Sequence, residues 1–442
     1  MRYCGKLELA LAFVATLSAA SLPATADAQG FSNDRSSMEG PGFKAGRLVL
    51  HPGLSLEGGY DSNVFLQDTN EADSFILRLV GYLDVATEGT ERQSQGDSNE
   101  AEPQKIQFRG GIGAQYYHYF LDRIPDNLGA DAHIDLSYNP SKVFSLQVRD
   151  IFRRTVRPFS DPNTVQGATV SYGHNSNTAT LDLVGRSKSQ VLEGRVGYTN
   201  AVEFFDASIY QYGNSMTHRV PVSLAWRFFP TSALIYTFDY ARQQFQNPDE
   251  VLASATLLSN NNRISNSIGY NGAITERFSL TAMIGYAAGV YDIGDNYDGV
   301  IARLDTRWRP RPTITLVAGF DRDYRPSFIG NYTLANRLYA NVRFTLAGAL
   351  QLGVKTWVSF DRSGLALRPD GTLLGNQPNR EDTRVYAGIF GEYRFKAWLA
   401  LFGEIGYLAD FTDFQYLGGA PLLDPSANYQ RFDAWLGLRV FY

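Results

Sequence analysis

The chain has 442 residues, a formal net charge of -5, and 44% hydrophobic residues at a mean hydropathy of -0.23. So mild an acidic balance gives no electrostatic footprint for nucleic acid, and no segment after the N-terminus approaches the run of about 18 apolar residues that a membrane helix needs. Apolar residues must be interleaved with polar ones; aromatics at 13%, with 26 Tyr and 28 Phe, suit the two girdles of a membrane barrel, and the length holds roughly eighteen strands with their loops.

Residues 1–28 read as a secretory signal peptide. Arg2 and Lys6 give the basic start, Leu9 to Ala20 the apolar core, and Ala26-Asp27-Ala28 a small-x-small cleavage site. Cys4, the only cysteine, falls inside it, so the mature chain is expected to carry no disulfide, thiol nucleophile or thiolate metal site. Residues 29–46 are small and polar and read as a flexible periplasmic arm.

A transmembrane barrel is expected over 47–442. Arg47 to Gly59 is the first strand, and Tyr60-Asp61-Ser62-Asn63 begins a turn. Ser74 to Ala86 returns with Phe75, Leu77, Leu79, Leu83 and Val85 on one face and Arg78, Tyr82 and Asp84 on the other. The insert 87–104 is acidic (Glu88, Glu91, Asp97, Glu100, Glu102) and shows no apolar period. By strand count it falls on the periplasmic side, either as a docking loop or in place of an unrecognised strand pair. From Lys105 the alternation recurs in segments of 10–14 residues, each long enough to cross a bilayer at a barrel tilt. Every second connection is tight, such as Phe229-Pro230-Thr231-Ser232 and Arg309-Pro310-Arg311-Pro312. The others are long and polar, such as Thr155 to Ser176 and Ser363 to Arg380. The pattern predicts an all-β, up-and-down antiparallel barrel of about 18 strands, with short periplasmic turns and long extracellular loops, in a Gram-negative outer membrane.

The last strand shows both faces plainly. Phe432, Ala434, Leu436, Leu438, Val440 and Tyr442 alternate with Arg431, Asp433, Trp435, Gly437, Arg439 and Phe441. It is expected to close the barrel against Arg47–Gly59, which removes the bare edge. Aromatic belts are assigned to Trp226, Phe228, Phe395, Trp398 and Tyr442 on the turn side, and to Tyr60, Tyr116, Tyr240, Tyr291 and Tyr324 on the loop side. The polar face carries Arg109, Arg149, Arg153, Arg195, Arg303, Asp305, Arg307, Arg337, Arg343, Lys355, Arg384, Arg431, Asp433 and Arg439, assigned as pore-lining residues. Each one alone reads best as a cross-strand partner that stiffens the wall; the set reads as a hydrated lumen that guides anionic or hydroxyl-rich solutes. His133, between Asp131 and Asp135, has only ordinary lumen polarity around it, and no serine motif or metal-ligand cluster accompanies it. No enzymatic activity, cofactor or metal is expected.

The stretch Leu54 to Phe65, LSLEGGYDSNVF, resembles the opening strand and turn of the β-barrel porin 2 family. Gly59, Tyr60, Asp61 and Asn63 match its motif, and the barrel pattern extends the likeness to the end of the chain. Physically, Tyr60 fits an interface belt, while Asp61 and Asn63 fit a polar turn or a calcium site. Gly437-x-x-Val440-x-Tyr442 resembles the C-terminal signal read by the outer-membrane assembly machinery, although Tyr442 replaces the commoner Phe. Family members are often associated with capsule or exopolysaccharide secretion. The resemblance therefore implies a polysaccharide-export channel working with a periplasmic export protein, with the arm and the 87–104 insert as docking elements. A passive porin for small anionic or sugar-like solutes, and a closed interaction barrel for adhesion, motility or envelope structure, remain open alternatives.

Overall fold

A computed structural model of the chain describes residues 40, 42–87, 104–122, 124–156, 173–246, 258–327, 329–368, 371–417 and 425–442. The expected signal peptide at 1–28, residues 29–39 of the expected arm, residues 88–103 of the insert and the centres of several long loops lie outside them. In chain order the strands are β1 (Phe43–Ala45), β2 (Leu48–Asp61), β3 (Ser74–Thr87), β4 (Ile106–Tyr119), β5 (Asn127–Ser141), β6 (Phe144–Thr155) and β7 (His174–Arg186). Next come β8 (Leu192–Phe205), β9 (Ser215–Phe229), β10 (Ser232–Phe245), β11 (Asn261–Thr275), β12 (Phe278–Tyr291) and β13 (Tyr297–Arg311). The last six are β14 (Ile314–Pro326), β15 (Tyr332–Leu346), β16 (Leu350–Leu365), β17 (Asn379–Lys396), β18 (Leu399–Phe411) and β19 (Tyr429–Phe441).

From β2 onward each strand pairs antiparallel with the next, and β19 pairs back onto β2, with Asp433 opposite Asp61 and Phe441 opposite Gly53. The result is a closed barrel of eighteen strands, β2 to β19. Strand β3 pairs directly with β4, and the docking-loop or strand-pair alternatives for the insert fall on residues 88–103, outside the described residues. The end of the expected arm differs from the sequence reading: Phe43–Ala45 pairs with Leu48–Leu50 as a short hairpin. The reason is geometric. Strand β2 extends past the end of β19, and β1 covers part of the edge that would otherwise stand open.

The wall is one layer thick, so a residue buried within it faces inward. On β19, Leu436 is 60% exposed and Leu438 51%, whereas Arg431 and Arg439 are 4% and 2% exposed. The apolar row therefore faces out and the charged row faces in. Trp226, Phe228, Phe395, Trp398 and Tyr442 are all exposed at the turn end, and Tyr116 and Tyr240 at the loop end. Two belt assignments need correction. Tyr291 is buried, and Tyr324 stacks on Tyr297 with centroids 4.1 Å apart, because both join a tyrosine cluster with Tyr332 at the extracellular rim. A closed, even-stranded barrel with an apolar exterior is a membrane-spanning design, since every backbone group is paired within the wall. The chain is an outer-membrane β-barrel.

Candidate channel lumen

Around the seam where β19 meets β2, the inner face is packed. Alternation on β2 turns Ser55, Glu57, Gly59 and Asp61 inward, all buried except the half-buried Gly59. The Glu57 carboxylate accepts hydrogen bonds from Ser55 Oγ at 2.7 Å and from Arg78 Nε on β3 at 2.8 Å, and lies 3.7 Å from Arg439 Nε on β19. Arg439 Nη1 in turn donates to Glu392 Oε2 on β17 at 3.1 Å. The guanidinium of Arg439 sits 3.7 Å from the Phe402 ring centroid, and that of Arg78 sits 4.4 Å from a ring centroid of Trp435. Trp435 lies opposite Gly59, where a Cβ would run into the indole, so the close approach of ring and backbone needs glycine there.

One turn further up, Arg431 grips both carboxylate oxygens of Asp61, Nε to Oδ1 at 3.0 Å and Nη2 to Oδ2 at 2.8 Å. Asn63 completes the latch. Its Nδ2 donates to Gln67 O at 2.7 Å and Gln430 O at 2.9 Å, while its Oδ1 accepts from Gln67 N at 3.0 Å. This bracket holds Leu66 at a φ of 50° and sends the following loop inward. Val64, Phe65 and Leu66 are buried against Ile76, Tyr117, Tyr119, Phe402, Tyr429 and Trp435 on the inner wall. The Asp61 and Asn63 oxygens are thus engaged by protein donors, which overturns the calcium-site reading. The motif Gly59, Asp61 and Asn63 closes the barrel and seats its first extracellular loop in the lumen, while Tyr60 points to the outer interface beside Phe75.

Elsewhere on the inner wall, arginines meet carboxylates on the neighbouring strand or two residues along their own. Arg149 Nε contacts Asp135 Oδ1 at 2.5 Å, Arg195 Nη1 lies 3.5 Å from Asp182 Oδ2, and Arg303 Nε donates to Asp305 Oδ2 at 2.5 Å. Arg384 pairs with Asp361, and Arg431 also lies 4.0 Å from Asp433. Arg109, Arg153, Arg307 and Arg343 occupy inner-face positions of β4, β6, β13 and β15. The Arg337 guanidinium lies 5.0 Å from the Trp357 ring centroid, and Lys355 Nζ lies 5.1 Å from that of Phe390. His133 Nε2 is 3.5 Å from Asp84 Oδ1 within the same wall. Of the C-terminal pattern, Gly437 faces Glu57 across the seam, while Val440 and Tyr442 are exposed on the outer face. Two things escaped the sequence reading: Glu57, although its alternation with Leu54 and Leu56 places it inside, and the inward loop.

The extracellular mouth is narrowed from two sides. Tyr210 and Tyr212, in a 3₁₀ turn at Ser208–Gly213 between β8 and β9, are buried. Burial pushes the Tyr210 phenol up to about 12; Tyr212 rises further, first through burial and then through Tyr210 and Tyr416. Tyr416 belongs to the loop between β18 and β19, on the opposite side of the barrel, where Arg380 Nη1 donates to its hydroxyl at 3.0 Å.

No family model and no curated relative matches the sequence. The chain is similar, at low identity, to several solved outer-membrane proteins. OccK2 (OpdF) of Pseudomonas aeruginosa, solved with glucuronate, is 10% identical with a TM-score of 0.46 over 88% of this chain and 98% of its own. OpdK of the same organism is 9% identical with a TM-score of 0.42, over 89% and 99%. The FrpB iron transporter of Neisseria meningitidis is 11% identical with a TM-score of 0.44, over 89% and 81%.

Proposed function

We propose that this barrel is an outer-membrane channel for hydrophilic solutes, and that its cargo is a capsular or extracellular polysaccharide leaving the cell. The observation that carries the channel reading is the inner wall of β5 to β16, lined with ionisable and hydrogen-bonding side chains that a dry core would not tolerate. Polysaccharide as cargo, export as direction and a periplasmic export protein as partner rest on the resemblance around Gly59–Val64. The seated loop at Val64–Leu66 favours a second reading, a passive porin in which that loop sets a size limit for small anionic or sugar-like solutes.

Deleting the gene is expected to abolish a surface polysaccharide while leaving small-solute uptake normal. Normal polysaccharide with slowed uptake of small solutes would overturn export in favour of the porin. The purified barrel in planar bilayers is expected to conduct potassium chloride; a barrel that inserts but passes no ions would leave only an interaction role for the loops.

A further inference from the structure

Resting on the channel reading, we infer that the inner wall of β13 to β17 carries a saccharide-binding subsite built on Tyr339, Trp357 and Tyr386. These three residues are directly opposite one another across consecutive strands, Tyr339 beside Trp357 and Trp357 beside Tyr386. Period-two alternation puts all three on the inner face, and each remains half-buried, so part of its ring stays open to the lumen.

Their orientation follows from the neighbours. The Tyr339 ring reaches across Gly319 of β14, and its hydroxyl donates to Asp305 Oδ1 on β13, so the ring lies along the wall and does not stand off it. A Cβ at Gly319 would collide with the phenol. Tyr386 leans the other way, its hydroxyl over Gly388 and towards Gly406 of β18. The Trp357 indole lies within 18° of the Tyr386 plane, with centroids 5.9 Å apart. The three rings form a band around the inner circumference, with the Arg337 guanidinium 5.0 Å from Trp357 and 5.9 Å from Tyr339.

Ring faces along a wall, edged by a guanidinium and a carboxylate, match the chemistry of a sugar. The axial C–H groups of a pyranose give it an apolar face that packs on aromatic π-surfaces, and its equatorial hydroxyls radiate towards donors and acceptors at the rim. Here Asp305 would accept from hydroxyls at one end of the band, and Arg337 would donate to hydroxyls or to the carboxylate of an acidic sugar. A packed apolar core would not place charged groups at the edges of its rings. A purely ionic pathway would have no use for the indole. A weak contact also suits transport, because a passing chain must leave the subsite as readily as it enters.

Current blockade of the reconstituted full-length barrel tests the assignment, with maltohexaose as the neutral probe and a hexamer of galacturonate as the acidic one. The wild-type channel is expected to show resolved, concentration-dependent blocks with at least one probe. W357A is expected to shorten their residence several-fold to about tenfold, the scale of one lost aromatic contact, and W357F to restore most of it. Y386A serves as the second probe of the band should W357A fail to insert, and is expected to shorten the blocks in the same sense. A wild-type barrel that conducts potassium chloride but is blocked by neither saccharide overturns this subsite and leaves the channel intact. So do blocks of unchanged residence in W357A or, where Y386A is the variant measured, in Y386A. A wild-type barrel that conducts nothing overturns the channel reading itself.

Discussion

Replacing Glu57 by alanine is expected to destabilise the barrel by about 3–5 kcal/mol, because it strands the buried guanidinium of Arg78 and takes from Arg439 one of its two carboxylates at the seam. Arg78 and Arg439 both point at this carboxylate, and the side chains of the three residues are 0–6% exposed. Neither arginine can lose its proton to escape the cost. Arg439 keeps its hydrogen bond to Glu392, whereas Arg78 loses its close carboxylate and is left beside the rings of Trp435 and Tyr117, so Arg78 is the worse placed. The measurement is the temperature at which the compact barrel converts to the slower-migrating unfolded chain on detergent gels. Replacing Glu57 and Arg78 together, by Leu and Met, is expected to cost far less than Glu57→Ala alone, since no buried charge is then orphaned. Equal losses for the single and double variants would show that the seam depends on shape and not on charge pairing.

Asn63→Ala is expected to act on conductance more than on the barrel. Its side chain makes three hydrogen bonds, two to Gln67 and one to Gln430. Losing them leaves partly buried backbone groups unsatisfied at roughly 1–3 kcal/mol each. The same bracket maintains Leu66 in the left-handed region, at a cost of order 1–3 kcal/mol that an unlatched loop would release. Val64, Phe65 and Leu66 should then leave the inner wall, and single-channel conductance should rise by about twofold or more as the constriction widens. Unchanged conductance in a folded Asn63→Ala barrel would mean that the current runs along the opposite wall and never meets this loop.

Much of the fold was legible because a membrane strand must declare its two faces. The alternation of Leu436, Leu438 and Val440 with Arg431, Asp433 and Arg439 states the period, the side that meets lipid and the need for a closing partner. What stayed hidden depends on register and on loops. That Arg149 meets Asp135 and Arg384 meets Asp361 follows from the pairing offset between neighbouring strands, which turn geometry sets and a single strand does not reveal. Tyr291 and Tyr324 near strand ends look like belt residues, yet both turn into the cluster around Tyr297 and Tyr332. Val64-Phe65-Leu66 is an apolar run too short to show a period, so nothing local marked it as the part that turns inward. Likewise, Asp61 and Asn63 read as turn formers, and only β19 beside them reveals what they hold.

The latch also dictates an order of events during biogenesis. Asp61 is among the first barrel residues to emerge and Arg431 among the last, 370 positions apart. No tight Asp61–Arg431 grip can form until the whole chain has been delivered. Until then β2 carries an unmatched edge and Asp61 lacks the Arg431 guanidinium, and both an open edge strand's inward charge and its missing partner discourage premature strand addition by a stranger. Closure over so long a loop is entropically slow, and the bidentate Arg431 contact rewards only the correct terminal strand. A chain truncated before Tyr429 should therefore remain an open sheet, dependent on whatever shelters its first strand.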